Sequence, residues 1–114
     1  MAAGSIPLLQ LGVVATAALT QFRGATVAGA VPAAAATALG IAQTGGAIGE
    51  RVPVAVLGTT LAEAGAAIAA GAALEYDASG RVITRSAGVT IGRMAPGQTA
   101  GAAGDLVEIV LIPN

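Results

Sequence analysis

Cysteine, histidine, lysine and tryptophan are all missing from this 114-residue chain, and each absence closes a class of function. Without cysteine there is no disulfide framework and no thiolate metal site. Without histidine the metal ligands narrow to carboxylates, and imidazole general-base catalysis is gone. Ser5, Ser79 and Ser86 therefore have no imidazole to activate them. Without lysine a Walker-type phosphate loop cannot be built. Aromatics are nearly absent too: Phe22 and Tyr76 are the whole set. Charge is scarce, with 10% of residues ionisable and a net charge of −1. Nucleic-acid binding needs clustered basic side chains, and nothing here supplies them.

Small residues take the vacant places. Alanine contributes 30 residues and glycine 17. Ordering a residue costs about 1.5 kcal/mol, and an alanine side chain returns little apolar area against that cost. The composition predicts a marginal monomer whose burial is completed by other chains. All five basic residues are arginine: Arg23, Arg51, Arg81, Arg85 and Arg93. High-GC coding explains that bias, as does use of arginine at interfaces.

The first charged side chain is Arg23. The apolar stretch from Ile6 to Phe22 could be read as a signal peptide or a membrane helix. A signal peptide wants a basic start, which is lacking. A membrane span wants about 20 strongly apolar residues, and Pro7, Gln10, Gly12, Thr16, Thr20 and Gln21 interrupt this one. The expectation is an N-terminal arm over residues 1–23 that packs on the domain or on a neighbouring subunit. Periodicity leaves strand and short helix open for residues 8–14.

The remainder, 24–114, reads as one β-rich domain with an internal duplication. Gly46 to Leu57 lines up with Gly101 to Ile112, each reading Gly-x-x-Gly-acid and then an apolar run. Gly40-Ile41-Ala42 and Gly92-Arg93-Met94 precede them, giving half-units of about 24–58 and 73–112. Strands are expected at 25–31, 38–43, 51–57, 73–76, 81–85, 89–94 and 106–112. Pro53 predicts an edge or a bulge for its strand, and Gly58 its end. Residues 59–72 are expected to be a loop or one helical turn. Asp77-Ala78-Ser79-Gly80 is a hairpin turn with glycine where positive φ is needed. The last strand is apolar on both faces, so it is central or lies at an interface.

Few residues are candidates for chemistry. The Gly-x-x-Gly steps precede strands and so are turns, not a dinucleotide fingerprint. Glu75 and Asp77 share a strand face and could form a carboxylate pair. The Asp77 turn has too few acids for a calcium loop. Glu50 and Asp105, at matching repeat positions, are expected to be solvated or to cap the turn before each strand, with pairing to a neighbour's arginines as the alternative. No enzyme activity, cofactor or metal is expected.

One resemblance adds to this. Ala67-Ile68-Ala69-Ala70-Gly71-Ala72-Ala73-Leu74 is followed by Asp77-Ala78-Ser79-Gly80-Arg81-Val82. Val89-Thr90-Ile91-Gly92-Arg93-Met94 is followed by Ala102-Ala103-Gly104-Asp105-Leu106-Val107-Glu108-Ile109-Val110-Leu111. In this order the segments resemble the capsid cement, or head decoration, proteins of tailed bacteriophages. The likeness runs from about Gly40 to Ile112 and is clearest from Ile68. The uncharged N-terminal arm is longer and more apolar than that pattern. The resemblance implies an all-β fold, a small barrel or sandwich of about seven to nine strands. It implies a structural virion protein on the outer capsid surface, bound to the major capsid protein and to itself. A homotrimer is expected, with a dimer as the alternative. The expected contact residues are Leu8, Leu9, Leu11, Val13, Val14 and Phe22 of the arm and Val107, Ile109 and Leu111 of the last strand. Arg23, Arg81, Arg85 and Arg93 are the expected polar anchors. The alternative is a β-rich component of a tail, fibre or shell.

Overall fold

A computed structural model describes residues 5–112 and Asn114. Among them there is no helix, hence none long and apolar enough to cross a membrane. The strands are β1 (Ile6–Val14), β2 (Gly24–Ala25), β3 (Gly40–Ala42), β4 (Arg51–Glu63), β5 (Ala73–Tyr76), β6 (Val82–Thr84), β7 (Gly92–Met94) and β8 (Leu106–Leu111). They form one 8-stranded sheet, ordered β2-β3-β4-β8-β7-β5-β6, with β1 paired to β4 off that path. Every strand pair is antiparallel, and the sheet curls into a nearly closed barrel.

β4 organises the molecule. β1 runs along one of its edges from Arg51 to Thr59. Its other edge is shared, with β3 at Val54 and Ala55 and β8 from Gly58 onward. Gly58 was expected to end this strand, but the strand runs through it, paired on both sides. At φ +97° its backbone keeps pairing, and a Cβ there would run into the Ile6 carbonyl. Thr59, Thr60 and Leu61 extend the strand against β8, so part of the presumed loop is strand. β-branched threonine favours that pleated surface over the helical turn that alanine content suggested. Nor is β4 an edge. Pro53 sits opposite Gly12 and its carbonyl accepts from the Gln43 amide at 2.9 Å. The register shifts fall in β1, between Pro7 and Gln10.

The expected strand over 25–31 shrinks to Gly24–Ala25. Beyond it the chain turns back, with Gly29 at φ +84° donating to the Thr26 carbonyl and Thr26 Oγ1 accepting from the Ala30 amide. The Asp77–Gly80 hairpin forms as read: Gly80 is at φ +81°, and Asp77 Oδ1 accepts from the amides of Ser79 and Arg81, both at 2.9 Å. β8 is central, between β4 and β7.

Strand register gives matching pairs in the two halves. Ile41 faces Ala55 and Ala42 faces Val54; in the second copy Arg93 faces Val110 and Met94 faces Ile109. It also extends upstream of the sequence match. Val13 and Val14 face Val52 and Arg51, just as Ala62 and Glu63 face Val107 and Leu106. Ala15 bonds both Glu50 and Gly49, as Ala64 bonds both Asp105 and Gly104. Unit 1 therefore runs from β1 through the first half of β4. Unit 2 runs from the second half of β4 through β8. The two units share one long strand.

Each unit has its own core. Unit 1 buries Val13, Ala15, Leu19, Ala25, Ala42, Val52 and Val54 together. Their counterparts in unit 2, Ala62, Ala64, Ile68, Leu74, Met94, Val107 and Ile109, all lie in the larger cluster. That cluster also takes in Ala38, Ile41 and Ala55 from unit 1, so the units are cemented together by apolar contact. Tyr76, fully buried, crosses the junction, and its hydroxyl donates to the Gly40 carbonyl at 3.3 Å.

Candidate functional site

The surface of β1 is unlike the rest. Among the described residues β1 pairs with β4 alone, and its outer edge carries no partner strand there. Ile6, Leu8, Leu9, Leu11 and Val14 are exposed along it, with Leu57 of β4 beside Leu9. No charged residue lies within it. Edge strands are normally guarded by charge, by proline or by brevity. On this strand of 9 residues the guards are Pro7, the register shifts between Pro7 and Gln10, and the Arg51 guanidinium, which donates to the Gly12 carbonyl at 3.5 Å. At the far end of β1 two loops close on residues 14–16. Thr16 donates to Gly29 and Gly49 donates to Ala15, and the exposed tips of those loops are Val27 and Ile48.

Of the expected arm contacts, Leu8, Leu9, Leu11 and Val14 are exposed along β1, with Leu11 and Val14 on opposite faces of the strand. Val13 is buried in the unit 1 core. Phe22 is half-buried at φ +64°, with its amide donating to Ala42 and its carbonyl accepting from Glu63. Val107, Ile109 and Leu111 are a correction. They alternate inward along β8 and are buried in the unit 2 core, so they form no outer contact surface. A central strand beneath curled sheet needs apolar residues for its own chain. Ile6 is exposed within the expected arm, while Val27 and Ile48 are exposed residues the sequence reading did not single out. An isolated branched apolar residue in a Gly-rich turn, as at Ile48, was the available signal.

The arginines are mostly engaged within the chain. Arg23 holds Glu63 in a two-pronged pair, Nε to Oε1 and Nη2 to Oε2, both at 3.1 Å. Arg81 reaches Glu63 at 3.8 Å and Asp77 at 3.3 Å. This half-buried network ties unit 1 to unit 2. Arg85 donates to the Gly88 carbonyl at 2.8 Å. Arg93 stands exposed on β7.

The carboxylates are structural. Glu75 is buried and accepts from the Ser86 amide at 2.6 Å and the Gly88 amide at 3.1 Å. Those backbone donors hold its carboxyl below the ordinary carboxylate range, with Arg85 adding to the effect. Asp77 is occupied in its own turn, so the two do not converge as a catalytic pair. Glu50 and Asp105 cap matching turns: Glu50 accepts from the Ala47 amide, and Asp105 from those of Gly101 and Ala102. Burial pushes the Tyr76 phenol far above its ordinary range, so it is inert as an acid. Among the described residues no cluster suits a metal, and no pocket is enclosed.

No curated protein matches the chain. Among solved structures it resembles the head fiber gp8.5 N base in bacteriophage phi29, with a TM-score of 0.73 at 18% identity. That match covers 91% of this chain and 93% of the other, and it supports the same β-rich fold. The family profile described as phage cement protein spans residues 7–111, nearly all that the structure describes, and the chain belongs to that family.

Proposed function

We propose that this phage structural protein binds the outer surface of a capsid and stabilises it by bridging neighbouring major capsid protein subunits. The observation that carries the reading is the exposed, uncharged surface along β1, in a chain whose family is that of phage cement proteins. The mechanism is added buried area across joints between subunits. Each copy needs only modest affinity, because many copies bind one symmetric lattice and an oligomer multiplies each contact. A homotrimer seated where capsomers meet suits that role, with a dimer as the alternative. Leu8, Leu9, Leu11, Val14 and Phe22 supply the apolar contacts, and Arg93 is the exposed arginine left to anchor a polar one.

Co-sedimentation of the protein with undecorated, expanded capsids tests this. Saturation at a fixed ratio per capsid subunit is the expected result. Absence of binding by a soluble, folded protein overturns it. A second reading, the base of a fibre, is favoured by the likeness to the head fiber base. In that case binding saturates at a few copies per particle instead of covering the lattice.

A further inference from the structure

Each unit carries the same two turns beyond the end of its first strand, and the two copies differ at their tips. Thr26-Val27-Ala28-Gly29 and Asp77-Ala78-Ser79-Gly80 are one turn built twice. In each, the fourth residue is a glycine at positive φ, 84° and 81°, whose amide donates to the carbonyl of the first. In each, the first side chain accepts from the amide of the fifth residue, Thr26 Oγ1 from Ala30 and Asp77 Oδ1 from Arg81. Ala47-Ile48-Gly49-Glu50 and Ala102-Ala103-Gly104-Asp105 are likewise one turn, with glycines at 91° and 93° and the closing acid accepting from the first amide. Backbone bonds hold these turns to the strand end. In unit 1 Thr16 donates to Gly29 and Gly49 donates to Ala15; in unit 2 Gly65 donates to Val82 and Gly104 donates to Ala64.

Val27 therefore stands where unit 2 has Ala78, and Ile48 where it has Ala103. All four are exposed. Among the described residues Val27 and Ile48 are the most exposed of the large apolar side chains, at 77% and 73%. Unit 2 shows that alanine closes both turns, so folding does not require the branched side chains. Nor do they favour it: β-branched residues are stiff, and turns prefer Gly, Pro, Asn, Asp and Ser. Exposed apolar side chains that return nothing to the fold mark a contact, and here the matched turns of unit 2 are the internal control.

We infer that Val27 and Ile48 are specificity-determining contacts with the capsid, two apolar pegs that enter uncharged, apolar recesses on the major capsid protein. This rests on the proposed function and deepens it, by naming the end of the molecule that is read and the chemistry that reads it. Two observations select that occupant. The charged neighbours are turned elsewhere, Glu50 to the Ala47 amide and Arg51 to the Gly12 carbonyl, so the tips offer no free basic group to a phosphate-bearing partner. The tips also continue the proposed capsid surface: Val14, exposed at the end of β1, adjoins Ala15, which bonds both Gly49 and Glu50.

Val27→Ala and Ile48→Ala, made together, give unit 1 the tips that unit 2 already has. In co-sedimentation with undecorated, expanded capsids the double variant is expected to bind at least tenfold more weakly, because apolar area is withdrawn from the contact. The mirror variant, Ala78→Val with Ala103→Ile, is expected to bind as the natural protein does. The ratio of natural to variant affinity is expected to hold between low and high salt, since apolar contact is not screened. Equal binding by the natural protein and the double variant overturns this inference and leaves the proposed function standing, whereas no binding by the natural protein overturns both. A loss that salt removes, or one that the mirror variant reproduces, also overturns it. So does a double variant whose mass by light scattering falls below that of the natural protein, because the tips then serve a second copy of the chain. Should the double variant fold poorly, Ile48→Cys in this cysteine-free chain gives a second readout. Its thiol is expected to be alkylated quickly in the free protein and at least tenfold more slowly on saturated capsids, and equal rates overturn the inference.

Discussion

Tyr76 is the largest fully buried side chain, and it lies where the two units meet. Its ring rests against Gly24, where a Cβ would come within 2.7 Å of it, so glycine at 24 and tyrosine at 76 are one packing solution. Tyr76→Phe keeps the ring and loses the bond to Gly40, costing about 1 kcal/mol. Tyr76→Ala opens a cavity and costs about 3–5 kcal/mol. Denaturant unfolding at neutral pH separates the two. Glu75 supplies a pH-dependent contribution. Its folded pKa lies below its ordinary value of 4.5, so the stability it gives is present above that value. It is lost as pH falls from about 4.5 through the folded pKa, because protonation ends the bonds from Ser86 and Gly88. Stability measured from pH 7 to pH 3 should therefore fall, and Glu75→Gln should be less stable at pH 7 with a shallower fall. An identical slope in the variant would show that other carboxylates account for it.

Among the elements, β4 belongs to both units, and Gly58 is where it passes from one to the other. Its φ of +97° is unfavourable for a side chain, and a Cβ would press on the Ile6 and Leu8 backbone. Gly58→Ala should cost about 1–3 kcal/mol and loosen β1 first, seen as faster amide exchange in residues 6–9 than in β8. Uniform loosening would mean that β1 is not held at Gly58. The sequence was most legible where turn chemistry is local: Asp77–Gly80 and the matched caps at Glu50 and Asp105 could be read from a few neighbouring residues. It was least legible at β4, where glycine reads as a breaker although two partner strands hold it in line. The upstream half of the duplication was hidden because Phe22 and Gly71 both take positive φ, at 64° and 74°, without sharing a side chain. The candidate surface was half legible. Absence of charge pointed to residues 6–22, but alternation alone could not say that Val13, Val107, Ile109 and Leu111 turn inward, because β8 is apolar on both faces.

At the scale of the whole molecule, duplication answers the problem set by composition. A chain with so few large side chains builds two small cores and joins them through Ile41, Ala55 and Tyr76. Arg93 holds in unit 2 the register position that Ile41 fills in unit 1, and leucines stand exposed along β1. Exposed leucines on a strand suit the role proposed for the chain on a capsid shell. The central claim is that binding stabilises that shell, and calorimetry of expanded capsids with and without saturating protein tests it most directly. The account predicts a capsid melting transition moved upward by several degrees at saturation, and unmoved by a variant that no longer binds. Full occupancy with no shift in the transition would contradict it.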